Sequence, residues 1–202
     1  MNTENTALMD MAERSLKGKW GLAIGTCLVY LLITGGLSLS FHINSYLKIS
    51  LCVSSLIFGG PMAYGMSFFS LSLSRTEDAR FEQLFKGFSR FGTYLMAYLY
   101  MGLLILLWTL LLIVPGIIAA ISYSQTFFVL AEDDTIEIEQ AIGKSIKMMD
   151  GYKWKYFRLC LRFFALGLLC ILTLGIGFLW LMPYIQITNA KFYDDIRGNI
   201  AG

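Results

Sequence analysis

The 202-residue chain is 56% hydrophobic and 15% charged, with a formal net charge of +2 and a mean hydropathy of +0.63. Those values exclude an ordinary soluble domain and point to a polytopic membrane protein, and the length allows one such domain over residues 1–202. Cys27, Cys52, Cys160 and Cys170 are scattered through apolar tracts without metal-ligand spacing, so free buried thiols are expected.

Met1 to Ser15 is mildly polar and carries Glu4, Asp10 and Glu13, unlike the basic start of a signal peptide. No cleavage is expected there, and the first span acts as its own insertion signal. Leu8, Met9, Ala12 and Leu16 share one helix face with charges opposite, which predicts a helix on the membrane surface. Lys17-Gly18-Lys19-Trp20 leads into a first span, Trp20 to about Phe41, placing cations and an indole at headgroup level. An outer loop with His42, Asn44 and Lys48 follows. The second span, about Ile49 to Leu73, contains Gly59-Gly60-Pro61, a kink or close-packing site.

Ser74 to Phe91 reads as a second surface segment, with Phe81, Leu84, Phe85 and Phe88 as an apolar stripe opposite Glu77, Asp78, Arg80 and Lys86. The tract from Thr93 to Ala131 is nearly twice the roughly 20 residues that cross about 30 Å of hydrocarbon at about 1.5 Å per residue. Val114-Pro115-Gly116 breaks it, so two antiparallel helices joined by a tight turn fit better than one. Thr135 to Trp154 is a third surface segment, with Ile138, Ala141, Ile142, Ile146 and Met149 on one face and Gly151 before its closing aromatic residues. Phe157 to Ala190 is again too long for one span and is interrupted by Leu174-Gly175-Ile176-Gly177.

At one constant offset, Gly116 falls on Gly177, Tyr123 on Tyr184, Gln125 on Gln186, and Asp133-Asp134 on Asp194-Asp195. A unit of surface helix, glycine-containing hinge and hairpin thus recurs over about residues 8–73, 74–134 and 135–195. This predicts an all-α integral membrane fold with six transmembrane helices as three pseudo-repeated hairpins, each preceded by an amphipathic surface helix. Six spans put Arg14, Lys17, Lys19, Arg75, Arg80, Lys86, Arg90, the cations from Lys144 to Arg162, Lys191 and Arg197 on one side and only Lys48 on the other. By the positive-inside rule both termini are then cytoplasmic.

The even-numbered spans carry the polar side chains, so they are expected to meet. Tyr64, Tyr123, Gln125, Tyr184 and Gln186 could line a cavity open to the cytoplasmic leaflet and hold a lipid headgroup or small polar ligand. The plainer alternative is interhelical hydrogen bonding that orients the bundle. Arg158 and Arg162 stand one helical turn apart at the start of the fifth span, where paired guanidinium groups could take a lipid phosphate or merely snorkel into the headgroups.

Every Asp and Glu falls outside the expected spans, which counts against a buried carboxylate relay. The single His42 has no nearby carboxylate or cysteine, so metal binding and a serine-type triad both lack parts. No catalytic residue, metal or cofactor is expected. The basic residues abut spans and are mixed with acids, so lipids, a partner membrane protein or a second copy are expected partners and nucleic acid is not.

Leu16-Lys17-Gly18-Lys19-Trp20, Gly60-Pro61 with Gly65, Leu84-Phe85 with Gly87-Phe88, Pro115-Gly116-Ile117-Ile118, and Leu174-Gly175-Ile176-Gly177-Phe178-Leu179-Trp180 with Pro183-Tyr184 carry a family resemblance. The chain resembles a bacterial integral-membrane family of unknown function, domain of unknown function 975, over nearly its whole length. That family is in turn distantly similar to the membrane portion of glycerophosphodiester phosphodiesterases, without the catalytic domain. The resemblance implies six spans in a bacterial plasma membrane and no known activity. The function expected is therefore non-enzymatic binding of lipid or a membrane partner, with a small transporter or exporter component as the rival.

Overall fold

The computed structural model describes residues 3–34, 45–75, 77–173 and 175–198, without the side chains of 45–54. The outer loop with His42 and Asn44, the far end of the first expected span, and Leu174 lie outside them. The described residues form only helices: α1 (Asn5–Leu16), α2 (Trp20–Ile33), α3 (Ser45–Ser74), a 3-10 helix (Phe81–Arg90), α4 (Phe91–Leu111), α5 (Ile113–Tyr123), α6 (Thr126–Glu132), α7 (Ile138–Met149), α8 (Lys153–Leu172) and α9 (Phe178–Arg197).

α1 buries Leu8, Ala12 and Leu16 against the bundle, the face that the sequence pattern marks, and its axis turns by 100° into α2. Gly18 makes that turn at φ +82°, and Gly151 makes the equivalent one between α7 and α8 at φ +78°. A residue with a Cβ would be strained in this left-handed conformation, so both glycines are backbone requirements. α7 buries Ala141, Ile142, Met148 and Met149, whereas Ile146 of the expected stripe is exposed.

The second segment departs from its expected helical period. Phe81–Arg90 winds as a 3-10 helix, in which residues three apart eclipse one another. Leu84 and Gly87 therefore fall on one buried edge, while Phe85 and Phe88 continue towards Phe91 as a ladder of rings about 6 Å apart, 6.1 Å at each step. Gly87 is thus not a third hinge but a packing contact: a Cβ there would lie 1.9 Å from the Pro61 carbonyl oxygen. Gly65 meets the Leu84 carbonyl in the same way at 1.8 Å, and Gly60 meets that of Tyr94 at 2.3 Å. The Gly59-Gly60-Pro61 stretch is therefore a surface on which α4 and the 3-10 helix press backbone to backbone.

Three stretches are long and apolar enough to cross a membrane, Ser55–Ser74, Phe81–Leu111 and Ile113–Glu132, with a fourth if α1 and α2 count as one bent span. Ser55–Ser74 of α3 is the central one, with 72% of its most apolar part buried, whereas that of Phe81–Leu111 is 17% buried and the stretch presents Leu103, Leu106 and Leu107 outward. Exposed apolar surface on that scale fits a hydrocarbon solvent. α8 and α9 are as long, but charges crowd one end of each: Lys153, Lys155, Arg158 and Arg162 on α8, and Lys191, Asp194, Asp195 and Arg197 on α9.

α4 and α5 pack at Gly116, where a Cβ would come within 2.2 Å of Thr109 Oγ1. α8 and α9 approach at Gly177, where it would meet Cys170 Sγ at 2.7 Å. Gly65→Ala is expected to abolish folding or cost at least about 4 kcal/mol, because only backbone movement could relieve the clash. Gly25→Ala, in open space within α2, is expected to be neutral or to stabilise by up to about 1 kcal/mol. Thermal unfolding of the purified variants in detergent reads both.

Candidate functional site

Charged side chains collect where α3, α6 and α9 end. Arg75, just past α3, donates from Nη2 to Asp194 at 2.6 Å and to Glu132 at 3.1 Å, and from Nε to Asp194 at 3.2 Å. The Asp194 hydrogen bonds hold its guanidinium above the ordinary value although burial opposes them. Glu132 also pairs with Arg197 and accepts from the Tyr193 hydroxyl at 2.8 Å. The Ser74 carbonyl accepts from Lys191 Nζ and from Ser15 Oγ, which fastens α1 to the same knot.

A second ion pair lies beside it. Lys155 meets Asp195 at 2.6 Å with side chains 9% and 6% exposed. Burying two charges costs several kcal/mol per ion unless the remaining donors and acceptors are met. Here Asp195 also accepts from Thr3 N and Oγ1, and the ammonium stands 5.4 Å over the Phe192 ring. Asn5 Nδ2 donates to the Lys155 carbonyl at 3.0 Å, so the N-terminal residues close over the pair.

Next to this pair, a cleft of about 640 Å³ opens between the start of α1 and α8. Thr3, Asn5, Trp154, Lys155, Arg158 and Arg162 line it, and Glu4 adds one carboxylate. Arg158 and Arg162 are exposed and make no ion pair among the described residues. The arrangement can therefore accept an anion, with Trp154, 66% exposed, offering a flat apolar flank.

The other expected residues do not share that cleft. Tyr64 is buried and stacks on Tyr94 with centroids 3.8 Å apart, so it fastens α3 to α4. Gln125 is wholly buried at the break between α5 and α6, donating to Ser124 Oγ at 3.0 Å. Tyr123 opens on an apolar cavity of about 680 Å³ with Tyr98, Gly102 and Phe127. Tyr184 borders a groove of about 430 Å³ with Trp20, Leu166, Leu169 and Trp180. Gln186 is partly buried on α9 and borders none of these three. Tyr64, Tyr123, Gln125, Tyr184 and Gln186 thus stand in separate places rather than around one cavity: Tyr64 is held by Tyr94, and Gln125 is buried with only its amide nitrogen bonded, to its neighbour Ser124. Among the described residues no cluster of three or more His, Cys, Asp and Glu side chains could hold a metal.

Arg75, Glu132, Lys155, Asp194 and Asp195 are absent from the sequence-based candidates. Their signal was present: acidic pairs recur at the ends of the later hairpins, Asp133-Asp134 and Asp194-Asp195, with cations at the starts. Only the fold reveals that these charges meet one another.

A family model described as "Protein of unknown function (DUF975)" matches residues 1–122 and 110–200. No curated protein and no solved structure matches the chain, so no phosphodiesterase relative stands among the matches.

Removing Lys155 alone leaves Asp195 buried without its cation, so Lys155→Met is expected to destabilise by about 3–5 kcal/mol. The double change Lys155→Met/Asp195→Leu is expected to recover most of that loss. Denaturant unfolding of the single and double variants measures the recovery, and additive losses would mean that the pair is not coupled.

Proposed function

The chain belongs to this family, DUF975, and from that premise we propose that it is a non-enzymatic bacterial inner-membrane protein which binds anionic lipid headgroups at the cytoplasmic end of α8. In this reading the chain makes six spans as three hairpins, with both termini and the surface segments in the cytoplasm. The charge distribution supports it, since only Lys48 among the lysines and arginines falls on the outer side. So do two contacts at equivalent hairpin bases, Arg90 to the Asp134 carbonyl and Lys155 to Asp195. Thr109 and Cys170, which abut Gly116 and Gly177, are separated by the same offset as those glycines, as a duplicated hairpin would require.

The observation that carries the lipid reading is the pair of exposed arginines without carboxylate partners in a cleft beside apolar surface. Leu161, Phe164 and Leu168 on α8 are all more than half exposed, so the cleft adjoins a face suited to hydrocarbon. A phosphate at that boundary meets two planar donors and escapes their mutual repulsion. A small transporter is the rival, favoured by the cavity at Tyr123 between α4 and α5.

Arg158→Ala/Arg162→Ala is expected to lower retention of phosphatidylglycerol by tenfold or more in native mass spectrometry of gently extracted protein, with unchanged thermal stability. Equal retention rejects the headgroup reading. Substrate flux in reconstituted vesicles that is lost in Tyr123→Phe would turn the proposal to the transporter. For the topology, single cysteines placed at Leu112 and at Glu137 in a cysteine-free background are expected to react with an impermeant maleimide from opposite sides. Labelling of both from one side contradicts the six-span arrangement.

A further inference from the structure

Resting on that lipid reading, we infer that the basic cleft and the apolar groove beside it form one site for a whole glycerophospholipid, phosphate in the cleft and one acyl chain in the groove. Both cavities are bordered by α8. Arg158 and Arg162 line the cleft, and Leu166, Leu169 and Thr173 line the groove. At 3.6 residues per turn these five positions fall within a sector of about 80° on one face of α8. Arg162 and Leu166 are a single turn apart, so the cavities succeed one another along the helix from its charged start towards its apolar end. α1 borders both, through Thr3 to Thr6 at the cleft and through Glu13 at the groove mouth.

The groove's size and lining select its occupant. It runs along α9 from Tyr184 to Gly177, about 10 Å at 1.5 Å per residue. A volume of about 430 Å³ over that length leaves a cross-section of about 40 Å². That is about half the section of an α-helix with its side chains, about 10 Å across, so a helix would seat on the groove rather than fill it, whereas a single acyl chain can lie within it. The inner end offers no free polar group at Thr173, whose hydroxyl donates to the Cys170 carbonyl at 2.8 Å and accepts from the Gly177 amide at 3.1 Å. Leu166, Leu169, Trp180 and Leu181 supply most of its apolar lining, with Trp20 and Cys170 beside them. A saturated chain lying there meets mainly apolar side chains, with Glu13 and Tyr184 as polar neighbours, while its phosphate stays one turn away beside Arg162.

The test compares long-chain phosphatidylglycerol with its dihexanoyl counterpart, whose chains are too short to fill the groove, on the full chain in detergent by native mass spectrometry. Leu169 is 58% exposed, so Leu169→Trp fills the groove without cutting into the core, and Leu166→Phe serves as a second filler. Matching circular dichroism and elution volume establish that each variant is folded. Both fillers are expected to weaken the long-chain lipid by tenfold or more and to leave the dihexanoyl lipid unchanged. Arg158→Ala/Arg162→Ala is expected to weaken both lipids alike. Undiminished long-chain binding in both fillers overturns the single-lipid site while the headgroup reading stands. Undiminished binding of both lipids in the arginine variant overturns the headgroup reading and this inference with it.

Discussion

The guanidinium of Arg75 ties together the ends of three helices and stands at the centre of the polar contacts between them. Asp194 on α9 and Glu132 at the end of α6 both accept from it, and it stands directly after α3. Hydrophobic burial cannot drive helices together inside lipid, because lipid tails are as apolar as leucine. Close backbone approach and polar closure must do so instead. The glycine contacts of α3 supply the first, and the Arg75 knot supplies the second at the end where water and headgroups begin. Once α3, α6 and α9 are fixed there, Lys191 and Ser15 find the Ser74 carbonyl, and α1 gains a place to lie.

α8 is the element held least by this arrangement. Its buried residues are Lys155, Leu159 and Phe163, none beyond its midpoint by more than one residue, and past them it exposes Leu168, Leu169, Ile171 and Leu172. A helix fastened at one end leaves space along its flank, which accounts for a cleft and a groove on the same side. The ion pair of Lys155 with Asp195 sets where that fastened end sits. It therefore positions Arg158 and Arg162 without itself being available to a ligand.

Much of this was legible in the sequence. Val114-Pro115-Gly116 announced a break, which falls just upstream at Leu112 with Pro115 and Gly116 in the first turn of α5; the break at Gly175-Ile176-Gly177 and the hinges at Gly18 and Gly151 stand where their glycines put them. The buried face of α1 followed from its helical spacing. The 3-10 winding of Phe81–Arg90 was not legible, because Phe81, Leu84, Phe85 and Phe88 satisfy either period until a neighbour chooses between them. That neighbour is α3: Leu84 must present its carbonyl to Gly65, and Gly87 its Cα to the Pro61 carbonyl. Nor could spacing tell that Tyr64 would stack on Tyr94 rather than face a ligand, since a phenol serves both ends equally well. Pairing of distant charges is likewise a property of the assembled bundle.

The connection between α4 and α5 exposes Leu110, Leu111, Leu112, Ile113 and Val114, and no charged residue lies anywhere between Arg90 and Glu132. The same holds between Arg162 and Lys191. In the six-span arrangement, these two hairpins enter the bilayer without carrying any charge across it, so the membrane potential neither assists nor opposes their biogenesis. Only the first hairpin would then have to export a cation, Lys48, against an inside-negative potential, at about 2.3 kcal/mol per 100 mV. In the proposed six-span arrangement, membrane insertion would thus divide into one voltage-sensitive step at the start of synthesis and two electrically silent ones after it.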